Sequence, residues 1–354
     1  MKIAVGFGAA GRSNDWERNL DFVLEAERLG VEHAWTAETW GFDAATQAAY
    51  LCARTSRITV GTGIMQLLSR TPAMLAMTAL SLNSMSNGRF ILGLGASGPQ
   101  VVEGWHGQPF ARVIPRMRDA IEIIRMAMRG ERVAYKGEYY ELPRPGGEGK
   151  ALRTNAEPGK VPIYLATLSP KSLELTGELA DGWVGTSFMP DHAEIFFEHM
   201  KKGADKAGRS LADIDIQAPG GAVAFGDDVE KLIPPRKSGL AFTLGAMGSR
   251  QHNFYNAAYR RAGYADEAAL VQRLWLDGNR DEAIANVPDE MVLLTNLLGT
   301  EQMVKDRIRK YRDAGVTTLR VQPEGAYLAE RIDNLGKVVT LIREVSAEKA
   351  AAVG

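Results

Sequence analysis

Phe90-Ile91-Leu92-Gly93-Leu94-Gly95-Ala96-Ser97-Gly98-Pro99-Gln100 is an apolar run that passes into glycines. It reads as a buried strand ending in a loop whose bare backbone N–H groups can approach a phosphate or a flat ring. The chain then runs on to Trp105-His106-Gly107 rather than into a helix. In the dinucleotide fingerprint the glycines open a helix within the first βα unit, so this loop argues against that fold.

Working outward, strand and helix signals alternate on both sides of this loop. Upstream, residues 2–7, 33–37 and 58–61 read as apolar strands, and the loop's own strand covers 90–93. Between them, Asn14-Asp15 offers a cap to a helix over 16–29, with Phe22, Val23, Ala26 and Leu29 on one face. Asp43 caps a helix to residue 53, and Pro72 opens one over 72–85, at the position where proline is tolerated. Downstream, helices are expected over 114–129, 170–179, 192–207 and 329–345, and strands over 163–166, 183–186, 214–225 and 317–321. Pro219-Gly220-Gly221 interrupts the seventh strand, Lys136-Gly137-Glu138 turns a small hairpin, and 143–160 reads as an exposed loop.

Eight strands separated mostly by helices predict an α/β fold, the (β/α)8 TIM barrel, as one domain over 1–354. A doubly wound sheet more often stops at five or six strands. Residues 227–300 break the rhythm with helical patterns at 251–262, 267–275 and 280–286 and no strand signal. They are expected to form a helical insertion after strand seven that caps the barrel mouth. The alanine-rich end, 347–354, is expected to fray.

Composition narrows the function classes. The 354 residues are 45% hydrophobic, enough for a sizeable core, and carry a formal net charge of −1. This balance predicts no nucleic-acid and no membrane partner. Cys52, the lone cysteine, lies in an apolar helical pattern and reads as a buried thiol. Met1-Lys2-Ile3-Ala4-Val5 enters a strand at once without a signal-peptide pattern, and no apolar run is long enough to span a bilayer. The expectation is a soluble cytoplasmic protein.

In a barrel, chemistry sits at the C-terminal ends of the strands. Those ends carry Phe7 and Gly8, Ala37 to Trp40, Thr62 to Gln66, the glycine loop, Thr167-Leu168-Ser169, Ser187 and Phe188, and Gln322 with Glu324. They hold no Schiff-base lysine, no Gly-x-Ser-x-Gly elbow and no metal-ligand spacing, and the five histidines are scattered. Such a mouth has little acid–base power of its own and suits an organic cofactor that carries the chemistry.

Glu38 is the clearest ionisable exception. It reads as a proton donor or acceptor, an anchor for a polar ring edge, or a helix-start hydrogen-bond acceptor. Trp40 either stacks on a ligand or packs under its loop. His106 either acts as a general acid or is a satisfied loop residue, and Glu103 lies nearby. Thr167-Leu168-Ser169-Pro170-Lys171 reads as an anion site at a helix start or as an ordinary N-cap, two readings that are compatible. Gly245-Ala246-Met247-Gly248 either closes over a phosphate or turns between helices. Arg70 either meets an acidic group or is solvated.

At this point the chain resembles the bacterial-luciferase-like flavin and deazaflavin oxidoreductases. The carriers are Ala37-Glu38-Thr39-Trp40-Gly41-Phe42-Asp43, Arg57-Ile58-Thr59-Val60-Gly61-Thr62-Gly63-Ile64 and Arg70-Thr71-Pro72-Ala73. The loop from Gly93 to Gln100, Glu103-Gly104-Trp105 and Ala180-Asp181-Gly182-Trp183 continue the series. The Gly-Leu-Gly-Ala-Ser-Gly-Pro-Gln form most resembles the branch that uses the deazaflavin coenzyme F420, similar to methylenetetrahydromethanopterin reductase.

The resemblance implies a non-prolyl cis peptide at Gly63–Ile64 bulging against the deazaflavin ring. It places the ring near Glu38, Gly63, Ile64 and the glycine loop (Gly95, Ala96, Ser97 and Gly98), and the phosphate near Thr167, Leu168 and Ser169; Phe7 and Gly248 are further candidates for holding the coenzyme. It implies hydride transfer between the coenzyme and an organic substrate, with polar assistance from Glu38 and with Trp40 and His106 on the substrate side, in a homodimer. In sugar-phosphate dehydrogenase relatives the second strand ends in a histidine and an acid closely follows the glycine loop. Here those places hold Glu38 and Gly98-Pro99, which argues against a sugar phosphate. The competing readings are an FMN-dependent monooxygenase on the same barrel and a cofactor-binding protein without turnover.

Overall fold

The computed structural model describes residues 1–8, 15–249 and 252–353, with side chains as far as 348. Its main strands are β1 (Lys2–Gly6), β2 (His33–Thr36), β3 (Thr59–Thr62), β4 (Phe90–Gly95), β5 (Ile163–Ala166), β6 (Gly182–Val184), β7 (Asp215–Phe225), β8 (Leu297–Gly299) and β9 (Thr318–Pro323). The alternating helices are α1 (Trp16–Arg28), α2 (Ala44–Arg54), α3 (Pro72–Met85), α4 (Val113–Met128), α5 (Pro170–Leu179), α6 (Glu194–Lys206), α7 (Glu301–Asp313) and α8 (Leu328–Val353). This order of parallel strands is that of a (β/α)8 barrel, with β8 as an added short strand beside β7.

The chain packs as two compact units. One comprises Ala34–Val184 and His199–Ile214. Its strands are buried along nearly their whole length, as parallel strands covered on both faces must be. β4 pairs with β3 through Val60↔Phe90 and with β5 through Leu92↔Ile163. The Trp35 indole fills the space beside Gly61, where an added Cβ would come within 2.7 Å of its ring. Asp43 and Thr71 cap α2 and α3 by accepting from the Thr46 and Met74 N–H groups. Cys52 is buried in α2, and burial, the main influence on its thiol, raises its pKa.

The other unit comprises the described residues of Met1–His33, Gly185–Glu198 and Asp215–Gly354. Here β9 lies between β1 and β7. Asp15 caps α1 by accepting from the Arg18 N–H; Asn14, the other cap candidate, lies outside the described residues. Pro219-Gly220-Gly221 does not break the seventh strand. The register slips between Pro219 and Gly221 and the strand continues, so the motif forms a bulge.

The insertion reading needs one correction. Among its described residues it is helical at Val229–Leu232, Pro234–Gly245, Phe254–Arg261, Ala265–Leu276, Arg280–Ala285 and Asp289–Thr295, around a core that includes Leu244, Tyr259, Val271 and Met291. It then ends in β8, whose three residues the sequence reading left unassigned. Gln251, the expected start of one helix, lies outside the described residues, and α8 runs on to Val353 rather than ending at 345.

His33 is buried beside Lys2 and Asp215, and its pKa is pushed down to about 4, first by burial and then by Lys2, with Asp215 opposing. The unfolded chain therefore takes up this proton first. The stability the neutral imidazole confers is complete above the unfolded value of 6.5 and is lost as pH falls toward 4. The loss should reach about 3 kcal/mol. Urea unfolding at stepped pH checks this: His33→Gln should flatten that part of the profile, and an unchanged slope would show that other groups carry it.

Candidate functional site

The site lies within the first unit, where the ends of β2, β3 and β4 meet. The Gly63 N–H donates to the Thr36 carbonyl and the Glu38 N–H to the Ile64 carbonyl, which fixes the end of β2 against the Gly63–Ile64 turn. That peptide is cis. Gly95 sits directly on Ile64: a Cβ there would come within 3.0 Å of the Ile64 Cδ1. Glu38, Gly63, Ile64 and Gly95 are thus brought together. Gly63 and Ile64 are half-buried, as are Ala96, Ser97 and Gly98, whereas Thr62 and Met65 on either side of the turn are buried. The result is a window of backbone and small side chains.

Beyond Gly98 the structure differs from expectation. Gly98 is the N-cap of a one-turn helix, Pro99–Val102, where the sequence suggested open loop. The glycines therefore do meet a helix start, though one far shorter than a dinucleotide fold supplies. Glu103 accepts from the Phe110 N–H, a loop-closing contact.

Glu38 is the most heavily committed residue of the site. Its carboxylate accepts from both terminal nitrogens of Arg70, from the Gln66 N–H at 2.7 Å and from the Ala44 N–H at 3.0 Å. Arg70 also meets the Asp43 carboxylate. Burial works against the Arg70 charge, but hydrogen bonding and attraction from Glu38 and then Asp43 outweigh it and raise its pKa. For Asp43, burial acts upward and is outweighed by hydrogen bonds from Thr46 and the charge of Arg70, so its pKa is lowered. A carboxylate with two oxygens shared among four donors is an acceptor in a fixed network, and removing that network's charge is costly. Of the roles read from the sequence, the geometry shows the helix-start acceptor: Glu38 holds Arg70 and the first turn of α2.

Around this network lies a cavity of about 290 Å³, lined by residues including Glu38, Trp40, Phe42, Arg70, Trp105 and His106. Trp40 is 56% exposed and Trp105 67%, so both indoles stand open on its rim rather than packing beneath loops. His106 is half-buried, and its Nε2 is covered without a hydrogen-bond partner. The sequence reading found Glu38, Trp40 and His106 but left Arg70 between two roles. The proximity of an arginine, a proline-opened helix and an acid-rich neighbouring loop was the available signal.

At Thr167-Leu168-Ser169 the structure shows an N-cap, which is compatible with an anion site. Ser169 and Ser172 form a reciprocal capping box, and the Thr167 hydroxyl faces Thr176 at 2.7 Å. Leu168 is buried. Phe7 and Gly248 belong to the other unit. Phe7 packs against Trp16 with ring centroids 5.9 Å apart, and Gly248 lies in a tight turn where a Cβ would come within 2.7 Å of the Asn253 Cα. Among the described residues no cluster of His, Cys, Asp or Glu is arranged to hold a metal, and no helix is long and apolar enough to cross a membrane.

Comparison with known proteins agrees with the resemblance noted in the sequence. The chain is similar to a Mycobacterium tuberculosis protein named as a coenzyme F420-dependent oxidoreductase, at 36% identity over 96% of this chain and 99% of that one. It is 28% identical to the 5,10-methylenetetrahydromethanopterin reductase of Archaeoglobus fulgidus, covering 90% and 93% of the two chains. The solved structure of the coenzyme F420-dependent tetrahydromethanopterin reductase from Methanopyrus kandleri shares the fold, with a TM-score of 0.79, 24% identity and coverage of 96% and 99%. The luciferase-like monooxygenase family model matches residues 2–318, and the chain belongs to that family.

Proposed function

We propose that this chain is a coenzyme F420-dependent oxidoreductase acting on a small organic substrate in the cavity beside Gly63–Ile64. The observation that carries the reading is the window of half-buried backbone at Gly63–Ile64 and Ala96–Gly98, whose Ile64 carbonyl is held by the N–H of Glu38, a residue that lines the aromatic-rimmed cavity. These residues fit a flat ring: Ile64 offers an apolar surface, and Gly95 beside it carries no side chain. The names carried by similar proteins point the same way.

When bound, a deazaflavin supplies a ring carbon that accepts or releases a hydride. The chain's own part is to hold and orient. Gly63 and Ile64 back the ring, Ala96, Ser97 and Gly98 border its linker, and Thr167 to Ser169 receive the phosphate at the outer side of the capping box. Trp40 holds the substrate by stacking, and His106 holds or passes a proton at Nε2. Alignment of the reacting partners supplies most of the rate.

Titration of the protein with coenzyme F420 and with FMN in parallel, followed by fluorescence, tests this reading. F420 should bind the more tightly, and reduced F420 should be reoxidised by at least one member of a broad substrate panel. Preferential FMN binding would move the chain to the monooxygenase reading. F420 binding without any turnover would leave a binding protein.

We also propose that the functional form is a homodimer joined through α3. Met74, Met77 and Met85 on this helix are 53%, 55% and 54% exposed. Residues 71–88 contain no charged side chain, nor do 44–53 of neighbouring α2, in a chain that is 24% charged. An exposed apolar face needs a cover, and an uncharged one meets its own copy across a two-fold axis without repulsion. Sedimentation should show a dimer. Met74→Glu/Met77→Glu should sediment as a folded monomer, and a monomeric wild type would refute the proposal.

A further inference from the structure

Three large aromatic side chains line one cavity and bury little of themselves. Trp40, Phe42 and Trp105 all border the space of about 290 Å³ and are all exposed, and the whole lining belongs to one compact unit. Leaving two indoles in water forgoes the stabilisation that burial would give them. Exposed aromatic surface gathered at a concave site is the mark of a ligand.

The same lining carries an excess of negative charge. Two carboxylates, Glu38 and Asp43, stand against one guanidinium, Arg70, so one negative charge is left over with His106 counted neutral. The hydrogen bonds show where it resides. Glu38 is full: each of its oxygens accepts from one Arg70 nitrogen and one backbone N–H, and its side chain is only 8% exposed. The Asp43 side chain is 42% exposed. Its Oδ2 accepts from the N–H and the hydroxyl of Thr46, each at 2.7 Å, but among the described residues its Oδ1 accepts from Arg70 alone. A carboxylate oxygen has room for a second partner. Gln66 and Ser69, the other polar side chains at hand, are tied up locally: the Gln66 amide donates to the Thr39 carbonyl at 2.6 Å and accepts from the Ser69 hydroxyl at 3.2 Å. A ligand thus meets aromatic surface and one half-open carboxylate edge.

We propose that this cavity receives the alkylated ammonium group of a small organic cation, held by the indoles of Trp40 and Trp105 with Asp43 as its counter-charge. An aromatic face carries negative potential and attracts a cation within about 6 Å of its centre. The surplus charge turns carboxylates and phosphates away. A primary ammonium brings three N–H donors and a tightly held water shell, and one open acceptor position at Asp43 does not replace that shell. An alkylated ammonium has few donors or none to satisfy, and its methyl groups lie against the rings. Calling this cation the substrate rests on the function proposed above; its binding does not.

Calorimetric titration at low ionic strength with choline and with 3,3-dimethylbutan-1-ol tests this. The alcohol has the shape of choline with carbon in place of the charged nitrogen. Wild type should bind choline at least about tenfold more tightly than the alcohol. Asp43→Asn should bring the two ligands within about twofold of each other, with α2 intact because asparagine caps a helix as well as aspartate does. Trp40→Leu and Trp105→Leu should each weaken choline by about threefold or more. Equal affinity for the two ligands, binding of neither, or choline affinity unchanged in Asp43→Asn or in both tryptophan variants overturns the proposal. If Asp43→Asn does not fold, Trp105→Leu on the open rim decides by the same threefold criterion. Choline binding by a protein that does not take up F420 overturns the function reading alone. F420 binding and reoxidation without a preference for choline overturns this proposal alone.

Discussion

Gly93→Ala will lose more than about 4 kcal/mol of folding stability, well beyond the range of ordinary core substitutions. Gly93 sits in the middle of β4, where β3 and β4 are pressed together. A Cβ at this position would overlap the Thr62 carbonyl oxygen, lie 2.9 Å from its carbon and touch the Trp35 ring at 3.4 Å. Overfilled cores usually adapt through side-chain shifts costing about 1–3 kcal/mol. Here the obstacle is backbone, and that backbone is pinned: the Thr62 hydroxyl donates to the Gly93 carbonyl at 2.8 Å and accepts from the Gly93 N–H at 3.0 Å. The strands must part to admit a methyl group, and parting them breaks both bonds. Gly98→Ala is the control from the same stretch. Its Cβ would meet nothing nearer than 3.8 Å, so it should stay within about 1 kcal/mol of wild type. Urea unfolding followed by circular dichroism measures both. A Gly93→Ala protein as stable as Gly98→Ala would show that the two strands are not locked together.

The second large effect is expected at Arg70. Arg70→Met removes two of the four donors to Glu38 and leaves a buried carboxylate without its counter-charge. Breaking a buried pair from one side costs about 3–5 kcal/mol, because the remaining charge cannot return to water. Adding Glu38→Gln should recover part of that loss, since the amide carries no charge and its single oxygen still accepts from one of the two N–H groups, Gln66 or Ala44, that now bond to separate carboxylate oxygens. The double-mutant cycle should therefore give a coupling of about 1–3 kcal/mol. Purely additive losses would mean that the two side chains are independent. F420 affinity should fall with Arg70→Met as well, because Glu38 and Gln66 bracket the turn that carries Gly63 and Ile64.

Much of this arrangement was legible in the sequence because its signals are local. Proline at a first helical position and an apolar run bounded by turns are short-range features, and 72–85, 163–166 and 170–179 match the structure residue for residue. β8 escaped because Leu297-Leu298-Gly299 follows a helical run too closely for three residues to display a period of two. The one-turn helix at Pro99–Val102 escaped because glycine and proline there dominate the reading as loop signals. Glu38, Trp40 and His106 were nameable from where they fall after strands. The role of Glu38 was not, because its partner is 32 residues away and the pairing depends on how two loops meet in space. The capping box at Ser169 shows the converse limit. One motif is compatible with a helix cap and with an anion site, so the sequence establishes the cap without deciding the ligand.

The two open indoles on the cavity rim give this protein a built-in optical reporter. Of six tryptophans, Trp40 and Trp105 face water, whereas Trp35 and Trp183 are enclosed. Emission from the rim pair is set by solvent relaxation, so any occupant that displaces water from the cavity will shift it to the blue, and any ring that absorbs in the near ultraviolet or violet will quench it by energy transfer. Occupancy can therefore be followed in unlabelled protein, before a substrate is known and without waiting for turnover.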